Sequence, residues 1–166
     1  SGYLDNVEFI AELTPSTAPG TVQFKTNGVA LGSPLTLAAD GRATNSTASL
    51  PRGTNVITAD YSGSEGYAVS TGTLSPSQVV TNHPPVASNL TLGVARGGFV
   101  SLPVIGGKKA PTDADGDSLA ITYVSLASSG TSGFTSSNVT YTADGLAGTN
   151  TFTYTVSAGF GGTDTK

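Results

Sequence analysis

The sequence predicts an all-β protein of two small β-sandwich domains in tandem, and three observations carry that prediction. The first is composition. Charged residues make up 11% of the chain, there are 22 glycines, and Cys, Met and Trp are absent, while Thr and Ser dominate the polar set. Branched side chains suit a pleated sheet and Gly supplies positive φ at corners, whereas the Lys and Glu that build helices are few. The second is period-two alternation of Val, Ile, Leu, Phe and Tyr with polar residues, which argues against disorder and, with 37% hydrophobic residues, fills thin sandwich cores. The third is Thr81-Asn82-His83-Pro84-Pro85. Two adjacent prolines fix φ and remove two ladder donors, so an extended connector divides residues 1–81 from residues 82–166.

In the first half, Val7, Phe9, Ala11 and Leu13 alternate with Glu8 and Glu12, the pattern of a half-buried strand. Thr14-Pro15-Ser16 ends it. Thr21-Val22-Gln23-Phe24-Lys25 alternates again, and Asn27-Gly28 marks a hairpin because both residues tolerate positive φ. A returning strand is expected over residues 29–37, another over 43–50 after the Asp40-Gly41 turn, and a third over 55–61 after Pro51-Arg52-Gly53. Residues 63–66 read as a loop and residues 69–80 as a last, polar strand.

In the second half, strands are expected over residues 86–94 and 99–105, followed by a long loop over 106–118. Residues 119–126 form the next strand. The Ser/Gly/Thr-rich residues 128–137 read as a surface loop, Val139-Thr140-Tyr141 as a short strand, and Thr151-Phe152-Thr153-Tyr154-Thr155-Val156 as the clearest alternation, with Phe152, Tyr154 and Val156 inward. A final strand begins at Thr163.

Composition also limits function. A net charge of −4 with seven Lys and Arg, scattered except for Lys108-Lys109, argues against nucleic acid and anionic membrane surfaces. No run reaches the length of a membrane span, and no signal peptide precedes Tyr3; the chain starts and stops as if cut from a longer polypeptide. Absence of Cys removes disulfides, thiolate metal sites and thiol nucleophiles, without excluding export.

The stretch of greatest chemical content is Asp113-Ala114-Asp115-Gly116-Asp117. Three carboxylates at alternate positions repel one another unless they point into water or share a cation. Asp113, Asp115 and Asp117 can supply oxygen ligands to calcium while Gly116 lets the loop wrap; the alternative is a solvated acidic turn, since Asp-Gly pairs are ordinary turn formers. The loop is not an EF-hand, because the glycine is misplaced and Val124 stands where the bidentate Glu would be. The one histidine, His83, has no evident carboxylate partner and reads as a solvent-facing connector residue, not a general base. Gly97-Gly98 and Gly106-Gly107 lack the following helix a phosphate loop needs. Glu8 and Glu12 read as solvated face residues. Tyr61, Tyr67, Tyr123, Tyr141 and Tyr154 mostly fall on core-facing positions, while Tyr3, Tyr67 and Phe160 are the best candidates for exposure to a polysaccharide, a role the absence of Trp disfavours. No catalytic constellation emerges, and the chain reads as a non-enzyme.

Several words resemble known families. Thr14-Pro15-Ser16, Gly20-Thr21-Val22-Gln23-Phe24, Asn27-Gly28, Leu31-Gly32, Leu50-Pro51, Gly53-Thr54-Asn55 and Ile57-Thr58-Ala59 running into Tyr61-Ser62-Gly63 and Tyr67 resemble bacterial immunoglobulin-like repeats, with the opening strand before Val7 missing or shortened. Pro84-Pro85-Val86-Ala87, residues 113–117 with Leu119, Val139-Thr140-Tyr141-Thr142 and Gly148-Thr149-Asn150-Thr151-Phe152-Thr153-Tyr154-Thr155-Val156 resemble a second immunoglobulin-like or cadherin-like repeat, which departs at Asn150 and Ala158, where an acidic residue is common.

The resemblance implies two immunoglobulin-like sandwiches and tips the acidic loop toward calcium. It implies an extracellular or cell-surface location and a structural role, as an adhesin-like stalk or spacer whose partners are neighbouring repeats of the same polypeptide. In such a sandwich the acidic loop is expected at the end carrying the domain's N-terminus, facing the connector and the first domain. A calcium ion there would stiffen the array; the rival expectation is that Arg52 pairs with the cluster. The alternative function is a module binding a host or matrix protein, or a polysaccharide as accessory to an exported enzyme.

Overall fold

The computed structural model describes residues 1–166. The chain has fifteen strands and no helix, and it divides into two units, Ser1–Thr81 and Asn82–Lys166.

In the first unit β1 (Val7–Glu12) pairs antiparallel with β5 (Arg42–Thr47), Phe9 opposite Asn45 and Glu12 opposite Arg42. The second sheet runs β3 (Val29–Ala30), β2 (Thr21–Thr26), β7 (Ile57–Tyr61), β8 (Ser70–Thr73), with β4 (Leu35–Thr36) also on β2. A separate ladder joins β6 (Gly53–Asn55) to β9 (Gln78–Val80). Alternation does what the sequence requires: Phe9 and Ala43 from one sheet meet Val22, Phe24, Ile57 and Tyr61 from the other, while Glu8 and Glu12 stay exposed. Each buried Val, Ile or Phe contributes about 1.5–3 kcal/mol by leaving water. The β2–β3 hairpin closes through Asn27 (φ 49°) and Gly28 (φ 83°), with Thr26 opposite Val29, as the Asn-Gly pair predicts.

Three expected strands are each interrupted. Residues 29–37 give two short strands because Gly32 takes a positive φ and Pro34 has no N–H to offer. Residues 55–61 split at Val56, whose N–H bonds the Asn27 side-chain oxygen at 2.9 Å and not a strand. Asn55 is consequently in the β6–β9 ladder and Ile57 in the β2–β7 ladder. Residues 69–80 split where Pro76 lacks a donor, into β8 and β9 on different ladders. The opening segment is short but present: Gly2 bridges Thr81 in parallel, Tyr3 N–H bonding Thr81 C=O at 2.7 Å and Thr81 N–H bonding Ser1 C=O at 3.0 Å.

In the second unit β10 (Phe99–Pro103), β13 (Asn138–Thr142) and β12 (Thr131–Phe134) form one sheet, and β11 (Ala120–Val124), β14 (Tyr154–Ser157) and β15 (Thr163–Thr165) form the other. Val104, Ile121, Val139, Tyr154 and Val156 share one core with Ala87, and Phe152 packs against it. Residues 86–94 are not a strand. Val86 and Thr112 exchange both backbone bonds (2.8 and 3.0 Å), but the next N–H, of Ala87, is taken by the Asp164 carboxylate at 2.8 Å, and Ser88 C=O by the Tyr154 hydroxyl. Side chains have replaced the ladder.

Residues 128–137, expected as loop, contain β12. Small residues hide it from any hydrophobic pattern, yet Ser132 and Gly133 lie opposite Tyr141 and Thr140 in full register. Tyr123 is exposed, against expectation, because a bulge leaves Thr122 without an opposite residue between Ile121↔Val156 and Tyr123↔Thr155. The extra residue reverses the face, so Val124 turns inward instead.

Candidate functional site

The acidic loop begins after β10 at buried Val104 and is fastened near its far end by the Val86–Thr112 pair. From that fixed point the next residue organises the turn. Asp113 Oδ1 accepts the N–H groups of Asp115 (2.9 Å) and Asp117 (3.2 Å), an arrangement open to a short carboxylate two and four residues upstream. Gly116, at φ 73°, makes the reversal that brings Asp117 back. Asp115 is thereby directed at His83: its Oδ2 accepts the His83 backbone N–H at 2.9 Å and its Oδ1 lies 2.6 Å from His83 Nδ1. The Asp115 side chain is fully buried and that of His83 is 37% exposed. The sequence reading of His83 as a residue without a carboxylate partner is therefore corrected.

The three predicted metal-ligating residues do come together. One carboxylate oxygen from each of Asp113, Asp115 and Asp117 lies within 4.8 Å of the others. Oxygens bound to one calcium at about 2.3–2.6 Å stand up to about 5 Å apart, so the spacing suits that ion. The other Asp113 oxygen, Oδ2, is buried and has no hydrogen-bond partner. A buried unpaired acceptor is costly, and a cation would satisfy it. Asp115 has both oxygens engaged by His83. The donor set is thus hard oxygen throughout, which fits calcium and not a thiolate- or imidazole-seeking metal. Asn150 and Ala158 add nothing to it: the Asn150 amide bonds the Tyr141 hydroxyl at 2.8 Å, and Ala158 is a buried methyl group.

Elsewhere the polar groups support structure. Asn55, wholly buried, donates to the carbonyls of Pro51 (2.9 Å) and Gly53 (3.1 Å) and accepts from Thr26 and Asn27; nothing in the sequence flagged this network. Its one hint was position, beside a turn. Lys25 and Thr71 hold the Asp60 carboxyl below the usual carboxylate range. The Ala87 N–H, then Lys166, do the same for Asp164, and the Ser129 hydroxyl does so for Asp144. Burial pushes the Tyr154 phenol up.

The aromatics do not assemble a platform. Tyr3 and Tyr67, expected at the surface, pack against the first core, and the Arg52 guanidinium lies 3.9 Å over the Tyr3 ring. Phe160 is exposed as expected, as are Phe99 and Phe134. Phe99 lies opposite Thr142 and Phe134 opposite inward-facing Val139, so these two project from different faces of one sheet.

Comparison with family models matches residues 1–82 to the bacterial Ig-like domain (group 3) and residues 82–166 to the bacterial Ig domain. Comparison with curated proteins and with solved structures finds no significant match. Together the two matches cover the whole chain, which therefore belongs to the bacterial Ig-like domain families as two such domains in tandem.

Proposed function

We propose that residues 1–166 are a spacer segment of a larger bacterial surface or secreted protein, separating neighbouring repeats of one polypeptide, and that Asp113, Asp115 and Asp117 take a calcium ion that stiffens it. Bacterial Ig-like domains typically occur in extracellular or surface proteins and are typically non-catalytic structural modules. The observation that supports a stiff spacer is the shortness of the free connector. Thr81 has its N–H and C=O bonded within the first unit, and His83 has its N–H bonded to Asp115 within the second. Between them stands Asn82, and Pro84-Pro85 follow with fixed φ. Few torsions are left to bend.

Calcium would supply charge neutralisation to three clustered carboxylates and a partner for Asp113 Oδ2. It would also hold Asp115 in the position from which it grips His83. Catalysis has no place in this reading, since the histidine and its carboxylate serve to fasten the connector.

The test is thermal unfolding of the whole chain in 10 mM calcium and in chelator. Extracellular calcium modules bind with Kd of about 0.1–1 mM, so saturation should stabilise the second domain by about 1.4–2.7 kcal/mol. Asp113→Asn keeps an oxygen for the two N–H groups while removing the charge, and should abolish the response. An unmoved transition in the wild type would refute the metal.

A further inference from the structure

The Asn27-Gly28 pair that turns the β2–β3 hairpin is the one place in the chain where an asparagine precedes a glycine. An asparagine side chain is open to attack by the backbone nitrogen that follows it, and this turn leaves that nitrogen accessible. Gly28 has no Cβ, and nothing lies within 4 Å of where one would stand. The hairpin is closed by Thr26 and Val29, which leaves the Gly28 N–H to solvent. Both turn residues are exposed, so water reaches them. At every other asparagine the next residue is Val, Ser, His, Leu or Thr, whose Cβ crowds its nitrogen. The carbonyl under attack also has a partner in place. Asn27 Oδ1 accepts the Val56 N–H at 2.9 Å, and negative charge collects on that oxygen when a nucleophile adds to its carbon.

We infer that Asn27 is a site of spontaneous, backbone-mediated deamidation in the folded chain, and that conversion there unfastens the first domain's hairpin. The Gly28 nitrogen adds to Asn27 Cγ and closes a succinimide ring. The Cγ–Nδ2 bond breaks, and Nδ2 leaves as ammonia with the proton that the Gly28 nitrogen gives up through water. A water molecule then opens the ring. Opening at one carbonyl leaves an aspartate; opening at the other leaves an isoaspartate, in which the main chain runs through the former side chain. Water is the only co-reactant, and nothing is oxidised or reduced.

The surroundings decide what the conversion does. Asn27 Nδ2 donates to Oδ1 of the wholly buried Asn55 at 3.3 Å, and Asn55 in turn bonds the Pro51 and Gly53 carbonyls. Aspartate puts an oxygen where that donor stood, so one acceptor faces another. Isoaspartate goes further, because its extra main-chain carbon does not fit the two-residue turn that sets Thr26 opposite Val29. The step does not run backwards, and the hairpin therefore carries a one-way mark of the chain's age.

The test is timed incubation of the whole chain in mildly alkaline buffer, folded and in denaturant, with tryptic mass mapping against a zero-time sample. Trypsin releases residues 26–42, whose one asparagine is Asn27, so amide loss in that peptide identifies the site. In the folded chain Asn27 should convert at least about tenfold faster than any other asparagine, as an unhindered nucleophile and an oxyanion donor together require. Gly28→Asp keeps a residue that tolerates positive φ but sets a Cβ beside the nitrogen, and should bring the rate down to that of the other asparagines. Earlier conversion of another asparagine, an undiminished rate in Gly28→Asp, or an Asn27 that converts in denaturant and not in the folded chain would overturn the inference. Aged chain, separated from fresh by its added charge, should exchange the Phe24 and Ala59 amides of the β2–β7 ladder faster. Unchanged exchange would overturn the claim that conversion unfastens the hairpin.

Discussion

His83 presents both its backbone N–H and its ring Nδ1 to one carboxylate, that of Asp115, at 2.9 and 2.6 Å. A connector residue is thereby bonded to the loop whose other aspartates form the candidate calcium site. The two halves of this contact separate experimentally. Asp115→Ala removes both and should destabilise the second domain by about 1–3 kcal/mol, because two hydrogen bonds to a charged, buried acceptor are lost. His83→Ala keeps the backbone bond and should cost less, about 0.5–1.5 kcal/mol. Native-state hydrogen exchange at the Val139 and Val156 amides reads the difference. Equal losses would show that the backbone bond contributes nothing.

Asn55 is the first domain's counterpart, a wholly buried amide that closes the turn at Pro51 and the hairpin at Asn27 together. Asn55→Ala leaves the Pro51 and Gly53 carbonyls without their donor, and Asn55→Leu adds bulk as well. Each should lower the stability of that domain by about 2–4 kcal/mol in denaturant titration followed by tyrosine fluorescence. A loss below about 0.5 kcal/mol would mean that water replaces the amide.

Acid should weaken the second domain through Asp164. Its carboxyl is held low by the Ala87 N–H and by Lys166. The unfolded chain takes up the proton near the ordinary value of about 3.9, while the folded chain does so at lower pH. The stabilisation is therefore complete above that ordinary value and is lost as pH falls through the lowered one. Asp164→Asn should be less stable at neutral pH and lose less on acidification, a comparison made by denaturant midpoints from about pH 6 to about pH 2. A parallel decline in both proteins would contradict this.

How much of this was legible depended on whether a feature is local. Alternation over residues 7–13, the Asn27-Gly28 hairpin and the acidic loop with its glycine are written in neighbouring residues, and the structure shows each. Strand interruption at Val56 was not, because the group that captures its N–H lies on the Asn27 hairpin, 29 residues earlier. The bulge at Thr122 is a mismatch between two strands and has no signature in either. β12 is held by its neighbour's backbone, with small residues that carry no hydrophobic pattern. The grip of Asp115 on His83 spans 32 residues and exists only once the loop has folded against the Val86–Thr112 bridge. The carboxylates could be named from sequence, but their partner could not.

The most direct test of a stiff, calcium-responsive spacer uses the absence of cysteine. Spin labels at exposed Val29→Cys and Leu126→Cys report the distance between the two domains without background labelling. The account predicts a single narrow distance distribution in calcium, broader in chelator, and broad in both conditions for Asp113→Asn. A wide distribution in the wild type that calcium does not change would contradict it.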